Sequence, residues 1–179
     1  PGRAAGRTLN TMPMLRRSLL LLAVLLPLAT RAADAPPAGP ETEFAFEEIV
    51  TIGAAVPVGA TPRGTRQYIP ITGGRFEGPR LKGKVLPGGW DWQLIRPDGH
   101  IDIDASYFIQ ADDGAVIHIH NRGTLFRRAE GVYDIKTFVN FEAPLGPHQW
   151  LNEHSFVGTL GGAPASEGPA VRIRFFRIK

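Results

Sequence analysis

Ile101-Asp102-Ile103-Asp104-Ala105-Ser106-Tyr107-Phe108-Ile109, Asp112-Asp113-Gly114 and Ala115-Val116-Ile117-His118-Ile119-His120 follow one another in the middle of the chain. The first run opens on strict alternation of apolar and polar residues, the period of two by which a β-strand sorts side chains onto two faces. Asp-Asp-Gly is a turn signal, because Asp bonds nearby backbone and Gly accepts positive φ. A second β-rich run comes at once, so the three pieces predict a β-hairpin. Another turn signal, Pro97-Asp98-Gly99, bounds it on the N-terminal side.

The same grammar extends outward. Phe44 to Ile52 opens the domain as a strand, and Tyr68 to Ile71 follows a loop containing Gly59, Pro62 and Gly64. Arg75 to Glu77, Leu81 to Leu86 and Trp90 to Ile95 precede the hairpin. Gly131 to Glu142, Ser155 to Leu160 and Ala170 to Ile178 complete the chain. Beyond the leader, no run of ten residues carries helical periodicity without Gly or Pro, and 21 Gly with 16 Pro suit many short strands. Antiparallel strands in such number must close on themselves or stack, or their edges would stay open. The expected fold is all-β: a single antiparallel β-barrel of about eight or more strands, with a β-sandwich as the alternative.

The N-terminal part reads differently. Residues 1–13 look like an upstream extension. Residues 14–32 look like a cleaved signal peptide: Arg16-Arg17, an apolar run from Leu19 to Leu28, then Ala29-Thr30-Arg31-Ala32. The run is short of the roughly 20 residues of a membrane span, so no span is expected after cleavage. The predicted location is periplasmic or secreted. Residues 33–42 form a Pro/Ala/Gly linker, and 43–179 form the domain.

Removing the leader changes the charge. The whole chain has net charge +3, from 20 Lys and Arg against 17 Asp and Glu. Arg3, Arg7, Arg16, Arg17 and Arg31 all precede residue 33, and no acid does. Fifteen basic residues then face seventeen acidic ones, a net of −2, which argues against nucleic acid as a partner. There is no cysteine, so neither disulfides nor a lipoprotein anchor enter.

Four clusters carry chemistry-bearing side chains. In Gly88-Gly89-Trp90-Asp91-Trp92 the strand period places Asp91 on the face opposite both indoles. Asp102 and Asp104 share a face with Ser106, opposite Ile103, Ala105 and Tyr107. Inside a barrel those carboxylates would have raised pKa values; outside they are a solvated surface. His118 and His120 share a face and resemble part of the cupin metal motif, but the Glu of that motif is replaced by Thr124-Leu125-Phe126. No metal site is assigned to them. Glu142 ends a strand, and Trp150 and Asn152 are suited to holding a flat or polar ligand. Nucleophile elbow, phosphate loop, dinucleotide fingerprint and zinc knuckle are all missing, and no cofactor is implied.

Seven motifs stand in order: Gly73-Gly74-Arg75-Phe76-Glu77-Gly78-Pro79, Leu86-Pro87-Gly88-Gly89-Trp90-Asp91-Trp92, Asp104 to Tyr107, Asp112 to Ile117, Asn121-Arg122-Gly123, Phe141-Glu142 and Trp150-Leu151-Asn152. Together they resemble the bacterial and fungal family called domain of unknown function 3237, over about Phe44 to Ile178. The resemblance implies a compact β-barrel and says little about activity. It also implies departures here: Ser106 stands where Arg is expected, Gln110 where Thr is usual, and an export signal where most members of the family are expected to be cytoplasmic.

The expected partner is a small organic molecule held in the lumen. Asp91, Asp104 and Glu142 are the candidate catalytic residues for an isomerase, cyclase or lyase working without cofactor. Trp92, Tyr107, Trp150 and Asn152 are the candidate ligand-binding residues. A non-catalytic periplasmic binding protein and a structural envelope module are the alternatives, and homo-oligomerisation stays open.

Overall fold

A computed structural model of the chain describes residues 38–129, 131 and 133–179, together with Gly2. The upstream extension apart from Gly2, the signal peptide and residues 33–37 of the linker lie outside the described residues.

Among the described residues ten strands follow in order: β1 (Thr42–Ile52), β2 (Val56–Thr61), β3 (Gly64–Glu77), β4 (Lys82–Val85), β5 (Trp90–Ile95), β6 (Ile101–Ala111), β7 (Val116–Arg127), β8 (Tyr133–Glu142), β9 (Phe156–Gly162) and β10 (Ala170–Ile178). Two 3₁₀ turns, Gln149–Leu151 and Ala165–Glu167, interrupt them. Every pairing is antiparallel. The sheet runs β1-β10-β9-β8-β7-β6-β4-β3, and β1 also pairs β3, so the sheet closes. β5 joins β3 to β6 beside β4, so β4 and β5 share one position in the ring. β2 pairs β3 alone and prolongs β1 past a break at Gly53–Ala55. The result is a closed barrel with eight strand positions, the number at which side chains can nearly fill the interior. No helix among the described residues is long and apolar enough to cross a membrane.

The expected hairpin is β6–β7. Asp112, Asp113 and Gly114 form its turn, and Ala111 N donates to Ala115 O at 2.9 Å. Its register pairs Asp104 with Arg122, Ser106 with His120 and Phe108 with His118.

Two segments differ from the sequence expectation. β3 is one strand of 14 residues, and Val56–Thr61 is a strand where a loop was expected. Gly73 and Gly74 had suggested a break between Tyr68–Ile71 and Arg75–Glu77. They instead carry the strand through at φ 143° and 133°, values that favour glycine. A Cβ at Gly74 would lie 2.1 Å from Ile49 O, so close approach of β1 requires the bare backbone. Likewise β7 continues through Asn121-Arg122-Gly123, where a Cβ on Gly123 would meet Lys136 O at 2.4 Å.

One end of the barrel is packed solid. Phe46 lies 5.0 Å from Phe175, 5.6 Å from Phe141 and 5.7 Å from Phe76, ring centre to ring centre. Phe156 stands edge-on to Phe141 at 4.9 Å. Full burial of such a ring stabilises by about 1.5–3 kcal/mol, and tilted contacts add to it. Ion pairs such as Arg174–Glu47 and Arg177–Glu43, both 2.7 Å, cross the β1–β10 seam on the outside. Exposed pairs of this kind contribute about 1 kcal/mol or less each.

Candidate functional site

The other end of the lumen is not filled. A cavity of about 140 Å³ lies among the inward rows of β1, β3, β5, β6, β7, β9 and β10. Its walls are mainly aliphatic, with Val50, Ile71, Leu160, Val171 and Ile173 among them. Four polar residues also line it: Asp91, Gln93, Tyr107 and Asn121.

Asp91 reaches inward because β5 alternates and both neighbouring indoles point away from the cavity; Trp90 is 51% exposed. The β5–β6 ladder pairs Asp91 with Ala105 and Leu94 with Asp102, and lapses between them. The carboxylate occupies that lapse. Its Oδ1 accepts from the Asp104 backbone N–H at 3.0 Å, and its Oδ2 accepts from Gln93 Nε2 at 2.6 Å. Gln67 Nε2 in turn donates to Gln93 Oε1 at 2.8 Å, which fixes the amide's orientation. Burial pushes the Asp91 pKa up, and the two donors pull against that shift.

Tyr107 follows Ile103 and Ala105 on the inward row of β6 and is 1% exposed. Its hydroxyl donates to Glu48 Oε2 at 2.7 Å. Glu48 is completely buried, and its Oε1 has no hydrogen-bond partner among the described residues. Desolvation raises its pKa to about 8, partly opposed by the tyrosine hydrogen bond, so this carboxyl group is neutral at pH 7. The Tyr107 hydroxyl is pushed well above its ordinary value by burial, and then by the carboxyl groups of Glu48 and Asp91. A carboxyl group and a phenol thus form one buried hydrogen-bonded unit, with a second carboxyl group close by.

Of the seven candidate residues, the structure brings Asp91 and Tyr107 together at the cavity. Trp92 does not line it; Arg66 stacks over its ring at 5.3 Å. Asp104 faces outward and bonds His120 Nε2 at 2.6 Å. Glu142 is on the outside too, in a shallow surface depression with Phe108 and His118. Trp150 belongs to the packed end, with Arg80 over its ring at 4.2 Å and Phe156 at 5.8 Å. Asn152 binds the backbone of Ala143 twice, accepting from its N–H at 2.8 Å and donating to its carbonyl at 2.9 Å. That is the geometry of a loop clamp. His118 and His120 stack at 6.5 Å on the outer face, where Ser106 Oγ meets His118 Nε2 at 2.9 Å. Among the described residues, no three His, Asp or Glu side chains converge as a metal ion would require. Ser106 and Gln110, the two departures within β6, both lie off the inward row.

Sequence reasoning missed Glu48, Gln93 and Asn121. Each had a signal. Glu48 shares the period-two row of Phe46 and Val50, Gln93 follows Asp91 by two, and Asn121 continues the row of Ile117 and Ile119.

Fold and lumen together define a class: a closed, eight-position antiparallel barrel with a mainly apolar cavity, one carboxyl group at its wall and a second buried behind Tyr107. The family model described as "Protein of unknown function (DUF3237)" matches residues 40–178, and the chain belongs to that family. It is 36% identical over 132 residues to a UPF0311 protein of Rhodopseudomonas palustris, an alignment covering 66% of this chain and 86% of the relative. A crystal structure of a "beta-barrel like protein" from Acinetobacter baumannii superposes with a TM-score of 0.72 at 31% identity, covering 80% of this chain and 99% of that one. A protein of Penicillium herquei named "Hydroalkoxylation enzyme phnH" is 30% identical over 138 residues, 77% of this chain and 86% of the relative.

Proposed function

We propose that the lumen is the active site of an enzyme that moves protons on a small organic substrate by carboxyl acid/base chemistry, as an isomerase, cyclase or lyase. The observation that carries this reading is the Tyr107–Glu48 hydrogen bond at the cavity wall, with Asp91 lining the same cavity. Two carboxyl groups in different surroundings divide into an acid and a base. Tyr107, which lines the cavity, forms the acid side, and Glu48, wholly desolvated and holding its proton, supports it from behind through their hydrogen bond. Asp91, held by two donors, is the base. The apolar walls exclude water and strengthen both interactions.

Hydroalkoxylation, the reaction in the fungal relative's name, adds an O–H across a C=C bond. Such an addition needs a base for the hydroxyl proton and an acid for the carbon. Its reverse, elimination, uses the same two groups in exchanged roles. The base takes the C–H proton, the C=C bond forms, and the acid protonates the departing oxygen.

A compact probe is 3-hydroxycyclohexanone, which loses water to give cyclohex-2-enone, followed by the absorbance of the enone. The chain is expected to accelerate this elimination. Asp91→Asn and Glu48→Gln should each reduce the rate about 100-fold or more, the usual contribution of a general acid or base. A wild-type rate equal to buffer, or variants equal to wild type, would overturn the assignment. The basic and apolar leader supports an exported site of action, checked by sequencing the N-terminus of the protein recovered from the producing cells.

A further inference from the structure

We propose that the cavity selects a compact, uncharged, ring-sized molecule bearing a hydroxyl group, and that Asn121 is the residue that reads that hydroxyl. The inference rests on the lumen being the substrate site, and it adds the substrate class and a specificity-determining residue.

Size comes first. About 140 Å³ is close to the volume of an apolar protein cavity that accepts benzene, so one ring with a small substituent fits and a fused ring system does not. The mainly aliphatic wall favours a ligand whose surface is mostly carbon.

Charge comes second. Among the described residues, neither Lys, Arg nor His lines the cavity, while Asp91 does. An anionic ligand would enter a site of low dielectric with a carboxylate beside it and no cation to balance it. A cationic ligand would have to compete for carboxylate oxygens that already accept from Gln93 and from the Asp104 backbone. An uncharged ligand meets neither obstacle.

The hydrogen-bonding inventory comes third. Asn121 is 1% exposed, lines the cavity and has a buried Oδ1 without a partner among the described residues. Buried amides in folded proteins are nearly always satisfied, so an orphaned one at a cavity wall points to a ligand. A primary amide has two donors and one acceptor, and rotation about its last torsion exchanges the edge turned to the ligand at little steric change. It matches a hydroxyl, which both donates and accepts. The alternating strand explains the placement: Asn121 continues the inward row of Ile117 and Ile119, whereas His118 and His120 face out. The Glu48 Oε1, also buried without a partner, marks a second unsatisfied polar atom in the lumen.

The test uses four single-ring probes, the equal-sized phenol and toluene and the slightly larger benzoate and benzylamine, titrated into the full chain and followed by NMR. Phenol is expected to bind about tenfold more tightly than toluene, the worth of one net hydrogen bond. Benzoate and benzylamine should bind more weakly than phenol. Asn121→Leu should reduce the phenol-to-toluene ratio to about one while leaving toluene binding intact, which a merely structural role for Asn121 would not do. The wild-type ratio is informative even if the variant does not fold. A ratio near one in the wild type, benzoate or benzylamine binding as well as phenol, or a phenol preference that survives Asn121→Leu would each overturn the inference. If phenol selectivity holds while 3-hydroxycyclohexanone is not turned over, the substrate class stands and the acid/base assignment falls.

Discussion

Glu48 follows Glu47 in sequence, and one strand sends them to opposite environments. Glu47 lies outside and pairs with Arg174 at 2.7 Å, while Glu48 is sealed in the lumen against Tyr107. Alternation alone says that one of two adjacent acids must face inward. It does not say which, because Phe46 and Val50 make one face apolar while Ile49 is also buried, on the other face. A register shift between Phe44 and Phe46 further blurs the count. The consequence is measurable. The Glu48 pKa rises from 4.5 to about 8 on folding. Between those values the folded chain holds a proton that the unfolded chain has released. Its contribution is therefore full below about pH 4.5 and declines as pH rises toward 8, by about 1.4 kcal/mol per pH unit. Above pH 8 the decline levels off. Glu48→Gln replaces the neutral acid by a neutral amide and should remove this slope. In urea titrations at successive pH values, the variant should match the wild type near pH 4.5 and exceed it at pH 8. Parallel curves over that window would show that Glu48 does not titrate as a buried acid.

At the scale of elements, legibility followed the strength of the local signal. The β6–β7 hairpin was readable because alternation and Asp-Asp-Gly agree. β3 was not, because glycine normally signals a turn, and only the approach of Ile49 O shows why it is needed in mid-strand. The site was half legible for a related reason. Alternation set Asp91 opposite its flanking indoles and Tyr107 opposite Asp104, and left open which face turns inward. Asp104 and Glu142 were candidates on residue type, and the choice of inner face depends on cross-strand register, which one strand does not contain. Trp150 and Asn152 have another use: they close the packed end, where Asn152 holds both backbone groups of Ala143. Asn152→Ala would leave that buried backbone without its partners. The expected loss is about 1–3 kcal/mol, read as a lower urea midpoint with unchanged slope. Phenol binding should persist, because neither Asn152 nor Ala143 lines the cavity.

For the whole molecule, the decisive contact is the one farthest apart in sequence. β1 pairs with β10 from Thr42↔Ile178 to Thr51↔Ala170, so the first and last strands close the ring. Lys179 N also donates to Glu41 O at 2.9 Å, which brings the two ends of the domain side by side. Deleting residues 170–179 would open two sheet edges and strip Ile173 and Phe175 from the core. That deletion is expected to leave no folded barrel, seen as loss of dispersed NMR signals. Breaking the chain elsewhere is a different matter. Leu145 is 89% exposed in the connection between β8 and β9, and the ring does not depend on covalent continuity there. A circular permutant that joins Lys179 to Glu41 through a short Gly-rich linker and begins at Gly146 keeps every strand and every neighbour. It should fold to the same barrel, with a urea midpoint near that of the parent, and retain the phenol preference of the lumen. The deletion and the permutant separate two properties of this chain. The expected pair of outcomes would mean that stability depends on having all eight ring positions filled, with the order in which the ribosome delivers them secondary. A permutant that failed to fold would show instead that the β8–β9 connection, with its buried Trp150 and Leu151, directs closure of the barrel.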